Sequence, residues 1–312
     1  MKLATFVGHS GAPAVGAVDT ARGAILDLAL AQSLSEGVAA PAFADMLSLI
    51  RSGEHGLEKA SRLAQGWPEE ASSSLSDARL LAPIPEPPQM RDCISFELHL
   101  KNAFRAMHPE ALKDNAIPEV WYRRPIYYKC NRFSFVGHEA DVRWPRFSEK
   151  MDFELEMACI IGRAGVDITR EQAPRHIFGY TIFNDFSARD EQRAEMTMQL
   201  GPAKGKDFDT GNVLGPWIVT ADEIGNPHKL EMRSRVNGEP WGGGNSSTIH
   251  HTFYDMVSFI STSETLHAGE IIGSGTVGTG CGLELGRFLK PGDVVELEIE
   301  RIGVLRNRLV KP

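Results

Sequence analysis

Glu154 and Glu156, in the run 152–160, are two acids one residue apart, and their spacing points to chemistry. In an extended strand side chains alternate, so the two carboxylates share a face about 7 Å apart, near enough to repel each other or to share one cation. Ala158 and Ile160 continue that face with apolar side chains, which directs it into the protein, where like charges need compensation. The plainer alternative is a solvated or ion-paired strand face. The chain carries its own example of that: Glu296, Glu298 and Glu300 repeat the pattern without companion motifs and read as solvated.

The companions of the first pair lie at a distance in sequence. Asp185, 29 positions after Glu156, ends an apolar stretch and stands where loops build sites, although taken alone it reads as a cap for the following turn. His99 follows Asp92 by seven residues; a lone histidine is more often packed or at the surface than catalytic. Lys206, in a glycine-bounded loop, reads by itself as a solvated lysine. The run Gly-Ser-Gly-Thr-Val-Gly at 273–278 matches the dinucleotide glycine spacing, but more glycines follow it and no helix does. A glycine-rich wall that lets backbone approach a ligand fits it better. The chain has neither a Gly-x-Ser-x-Gly elbow nor His-Glu-x-x-His, which argues against a serine hydrolase of the common fold and a zinc protease.

The elements that must position these residues are mostly strands. Alternating stretches at 153–161, 178–184, 232–236 and 294–302 are separated by turn chemistry, including the hairpin signal Asn237-Gly238. Phe253, Met256, Val257 and Ile260 fall at helical spacing, with Ser247 and Thr248 as candidate caps. Residues 1–32 read as short strands and turns, and 42–64 as a helical hairpin broken near Ser52-Gly53. The serine run at 72–74 and the prolines Pro83, Pro85, Pro87 and Pro88 place a boundary near residue 88. The expectation is a mixed α/β, mainly β chain, with a small N-terminal α+β module at 1–88 and a catalytic domain at 89–312. A doubly wound parallel sheet fits poorly, because few strands alternate with long helices.

Composition sets the class. With 312 residues, 42% hydrophobic and 24% charged, the chain can bury a sizeable core. A net charge of -8 leaves no basic surplus for a phosphate backbone, so nucleic acid is not an expected partner. Cys93, Cys130, Cys159 and Cys281 are widely spaced and read as reduced, buried thiols. No apolar run is long enough for a membrane span and the N-terminus lacks a signal-peptide pattern, so the expected location is cytoplasmic.

Taken together, and in order, these segments resemble the fumarylacetoacetate hydrolase superfamily over roughly residues 89–308. The carriers are Asp92 with His99, Asp-Phe-Glu-Leu-Glu at 152–156, Phe-Gly-Tyr-Thr-Ile-Phe-Asn-Asp-Phe-Ser-Ala-Arg-Asp at 178–190, Leu-Gly-Pro-Ala-Lys-Gly-Lys-Asp-Phe at 200–208, Gly-Ser-Gly-Thr at 273–276 and Leu-Glu-Leu at 283–285. The resemblance implies a β-roll catalytic domain and a homodimer. It implies metal ligation by Asp92, Glu154, Glu156 and Asp185, an all-oxygen set that suits Mg²⁺, with Ca²⁺ or Mn²⁺ as alternatives. It further implies a His99–Glu284 pair that activates water, Lys206 as a stabilising charge, and Tyr128, Arg189, Gln192 and Thr276 along the substrate.

The activity implied is metal-dependent hydrolysis of a carbon–carbon bond in a 1,3-dicarbonyl or acylpyruvate. Decarboxylation, isomerisation or hydration of a 2-keto acid on the same site is the alternative, and a non-catalytic small-molecule-binding protein the alternative of another class. The chain departs from fumarylacetoacetase at His108, where that enzyme carries an arginine, with Arg105 three residues earlier. It has one extra residue between Gln192 and Leu200, and a segment at 107–124 that reads as either a lid or a packed loop.

Overall fold

The computed structural model describes residues 1–38, 41–107 and 117–311. The chain is mixed α/β and mainly β, built around one eleven-stranded sheet. Its middle is the antiparallel pair Leu155–Ile161 and Ile177–Asp185, which register Glu156 opposite Phe183 and Leu155 opposite Asn184. Every residue of both strands is buried. A strand covered on both faces reads as a near-continuous apolar run, and this pair does so. Leu155, Met157, Cys159 and Ile161 enter one core, while Ala158 and Ile160 enter the other.

On one flank, Ile271–Gly273 pairs antiparallel with Leu155–Ile161, and Met90–Cys93 lies parallel beside it, followed by Tyr127–Lys129. On the other flank come Asn212–Thr220 and then Lys2–Val7, Pro13–Asp19, Ala24–Asp27 and Ser72–Ser74. The N-terminal strands thus extend the same sheet, through Lys2 opposite Val219. Either side of the division expected near residue 88, Ser72–Ser74 is the edge strand at one end of that sheet and Met90–Cys93 the last strand but one at the other.

A second, five-stranded sheet contains Glu231–Val236 and Glu239–Asn245, joined by the Asn237-Gly238 turn in which both residues take positive φ. Glu296 and Glu298 lie here and pair with Arg235 at 3.3 and 2.8 Å on a half-buried face, which separates this acid run from the buried one. The helical hairpin forms as Met46–Arg51 and Gly53–Gly66. The helix Phe253–Ile260 buries the four apolar residues that announced it. Its cap differs from the expectation: Thr252 and Asp255 form a reciprocal capping box, while Ser247 and Thr248 lie in a separate 3-10 turn. All four cysteines are free and buried. Among the described residues no helix is long and apolar enough to cross a membrane.

Candidate active site

Adjacent strand ends bring the acids together. Glu156 lies near the start of Leu155–Ile161, Asp185 ends the neighbouring antiparallel strand, and Asp92 lies on Met90–Cys93 two strands away. Gly273, on the strand between, pairs with Asp92. A Cβ at Gly273 would stand 2.3 Å from Asp92 Oδ1 and 3.3 Å from Glu156 Oε2, so the missing side chain is what lets these two carboxylates converge. Oxygen atoms of Asp92, Glu156 and Asp185 lie within 4.8 Å of one another, all buried. The glycine-rich run at 273–278 serves this cluster with backbone. The Gly275 amide donates to Glu156 Oε2 at 3.0 Å and to Asp92 Oδ1 at 3.3 Å.

The fourth expected ligand is differently engaged. Glu154 is buried, but its oxygens face two cations: Arg189 Nη2 at 2.8 Å and Lys206 Nζ at 2.6 Å. Lys206 also contacts Asp185 Oδ2 at 2.6 Å and so bridges the two acids. Lys206 is itself buried, contrary to its reading as a solvated lysine. Asp185 caps no helix. Its Oδ2 accepts from the Tyr128 hydroxyl at 2.6 Å, and its Oδ1 is buried without a hydrogen-bond partner. The Thr276 hydroxyl donates to Glu156 Oε1 at 3.2 Å, and Gln192 accepts from Arg189 Nη1 at 2.9 Å.

These environments divide the carboxyls. Burial pushes Glu156 well above its usual range, with the neighbouring Asp92 charge adding to the effect. Burial likewise lifts Asp92 to about 8 and Asp185 to about 6, against the opposing pull of Lys206 on both. For Glu154 burial is outweighed by Lys206 and Arg189, which hold it at about 2. The cluster is therefore short of positive charge at Asp92, Glu156 and Asp185. An orphaned carboxylate oxygen and an all-oxygen donor set fit a hard divalent cation and not a soft one.

The expected pair of His99 and Glu284 forms, and His99 lines the same cavity as Asp92, Glu154 and Glu156. His99 Nδ1 lies 2.7 Å from Glu284 Oε1. The other oxygen of Glu284 accepts from Asn102 Nδ2 at 2.9 Å and from the Thr279 amide at 2.8 Å. Burial alone would raise the Glu284 carboxyl, but these bonds and His99 hold it below its ordinary range. An ionised Glu284 fixes the proton on Nδ1 and leaves Nε2 as the basic nitrogen. His99, the carboxylates Asp92, Glu154 and Glu156, and Lys206 line one cavity of about 300 Å³. Tyr128, Arg189, Gln192 and Thr276 line it as well.

The family profile described as Fumarylacetoacetate (FAA) hydrolase C-terminal matches residues 98–310. The chain belongs to the fumarylacetoacetate hydrolase family. Among curated relatives of this family, the oxaloacetate tautomerase YisK of Bacillus subtilis (strain 168) is 32% identical over 273 residues, 85% of this chain and 86% of that protein. The mitochondrial oxaloacetate tautomerase FAHD2A of Homo sapiens is 33% identical over 267 residues, 85% of this chain and 79% of that one. The fold is shared with maleylpyruvate hydrolase from Sphingobium sp. SYK-6, solved with manganese(II) and pyruvate. That match has a TM-score of 0.74 and 22% identity, and covers all of this chain and 99% of the other.

Two polar residues of the site were not anticipated as participants. Asn102 sits one helical turn beyond His99 and holds the same carboxylate. Asp152, fully buried, accepts from the Gly282 and Leu283 amides at 2.7 and 2.9 Å and from Arg189 Nε at 2.8 Å. Gly282–Leu285 is the short helix that carries Glu284. One carboxylate thus holds both Arg189 and the helix that carries the partner of His99. His108, with the rest of 108–116, lies outside the described residues, which is half of the segment at 107–124. Within that segment Trp121 is packed, donating its indole N–H to the Ile94 carbonyl and stacking on His250.

Two outcomes are expected. Asp185→Asn lowers Mn²⁺ affinity, read by calorimetry, by more than the about 10- to 100-fold typical of changes outside the ligand shell. Asp152→Asn shifts or broadens the downfield imidazole N–H resonance of the His99–Glu284 bond while Mn²⁺ binding persists; an unaltered resonance would remove Asp152 from its positioning role.

Proposed function

We propose that this chain is a divalent-cation-dependent hydrolase that cleaves the carbon–carbon bond of acylpyruvates, 2,4-dioxo acids. The observation that carries the proposal is the 2.7 Å His99–Glu284 contact opening on the same cavity as the carboxylate cluster. Asp92, Glu156 and Asp185, with Glu154 beside them, would hold Mg²⁺, Mn²⁺ or Ca²⁺, which when bound supplies a Lewis acid for the oxygens of the 2-oxo acid.

The residues of the chain divide the remaining work. His99 Nε2 removes a proton from water as the water oxygen attacks the C4 carbonyl carbon, and Glu284 stabilises the imidazolium that forms. The C3–C4 bond breaks, its electron pair passing to C3 to give the enolate of pyruvate, while C4 leaves as a carboxylic acid. Lys206 is held protonated: burial alone would lower its pKa, but Asp185 and Glu154 outweigh burial and raise it. It therefore acts as a fixed positive charge toward the enolate and not as a base. Protonation at C3 completes the balance of substrate and water to pyruvate and acid.

A second reading, keto–enol tautomerisation of a 2-oxo acid, is favoured by the two relatives named as oxaloacetate tautomerases. It uses the same base on a C3 proton and breaks no carbon–carbon bond. Products separate the two. With Mg²⁺, acetylpyruvate should lose its near-ultraviolet absorbance and yield pyruvate and acetate in equal amounts, whereas tautomerisation leaves the mass of the substrate unchanged. Excess chelator should stop the reaction, and full activity in chelator would sink the cation mechanism. His99→Ala should lower turnover by about 10² to 10⁴-fold with Mn²⁺ affinity retained.

A further inference from the structure

Among the described residues the helix side of the cavity turns apolar beyond His99. His99 lies in the first turn of the helix Glu97–Met107, and Leu100, Ala103, Phe104 and Met107 continue from it along one face. Eight residues at 1.5 Å rise carry this apolar wall about 12 Å from His99. Ile94 and Ile126 line the cavity too and, like Phe104 and Met107, are only half-buried, so they leave apolar surface for a ligand to cover. The basic residues of the same helix are directed elsewhere: Lys101 pairs with Glu97 at 2.6 Å, and Arg105 is exposed and outside the lining.

Among the described lining residues the cations are Arg189 and Lys206, and both are already committed. Arg189 lies between Asp152 and Glu154, and Lys206 between Glu154 and Asp185. Neither is available at the apolar end for a second carboxylate. A buried carboxylate without a partner is costly, whereas each buried methylene is favourable.

We propose that the site selects 2-oxo acids bearing an uncharged, apolar chain of several carbons, and discriminates against dicarboxylates. This deepens the acylpyruvate reading, on which it rests, by assigning the acyl group to the wall formed by Leu100, Ala103, Phe104 and Met107.

Equilibrium binding tests it without turnover. With Mn²⁺-loaded protein, affinity measured by calorimetry should rise from pyruvate through 2-oxobutanoate to 2-oxohexanoate by about fourfold per methylene, the ratio equivalent to ~0.8 kcal/mol. 2-Oxoadipate, the same six-carbon chain ending in a carboxylate, should bind at least about tenfold more weakly than 2-oxohexanoate. Phe104→Ala should weaken 2-oxohexanoate more than pyruvate. Pyruvate binding with no chain-length dependence, or 2-oxoadipate binding as tightly as 2-oxohexanoate, overturns the inference alone. Failure of pyruvate itself to bind in the presence of Mn²⁺ overturns the reading beneath it as well.

Discussion

Among the described residues five carboxylates, those of Asp92, Asp152, Glu154, Glu156 and Asp185, are buried around two cations that pair with them, Arg189 and Lys206. Removing that many negative charges from water is prohibitive unless each is paired, protonated or given a cation. The pairing is uneven. Asp152 and Glu154 take both of Arg189's strong contacts, and Lys206 divides itself between Glu154 and Asp185. The deficit is thereby concentrated on Asp92, Glu156 and the free oxygen of Asp185. The surrounding structure keeps it there.

The sheet does so through alternation and closeness. Strand spacing of about 4.8 Å is small enough that carboxylates from neighbouring strand ends must meet, unless intervening side chains separate them. Gly273 removes the separating side chain, and the 273–278 loop supplies the Gly275 amide proton, shared by the two carboxylates, in its place. The apolar cores on both faces of Leu155–Ile161 and Ile177–Asp185 hold the strand ends rigid, so the acids cannot relax apart into solvent.

Much of this was legible in the residues. Alternation put Glu154 and Glu156 on one face, and the apolar continuation at Ala158 and Ile160 pointed that face inward, as the two cores show. The contrast with Glu296 and Glu298 was legible as well, because that run had no companions. The mainly β class followed from the strand-length alternation. Other features were not local. Asp185 looks like a cap in its own segment, because Lys206 and Tyr128, the residues that give it another role, lie 21 and 57 positions away. Asp152 was hidden for the same reason: its amide partners Gly282 and Leu283 are 130 and 131 positions distant, and backbone donors leave no mark on side-chain spacing. The true cap at Thr252 was missed because a capping box is read from the pair Thr252 and Asp255, not from the nearest run of hydroxyl residues.

The helix Glu97–Met107 carries His99 in its first turn and the apolar wall in its later turns. A helix of this length moves as a rod, so a tilt that widens the distal end also displaces the imidazole relative to the Glu284 anchors that lie off this helix, the Thr279 amide and Asp152's hold on the helix Gly282–Leu285. Fit at the tail and readiness for proton transfer are therefore mechanically linked. On the proposed reading, an ill-fitting chain would be penalised through the position of the base as well as through its own contacts, and selectivity would then be a property of rate as much as of affinity.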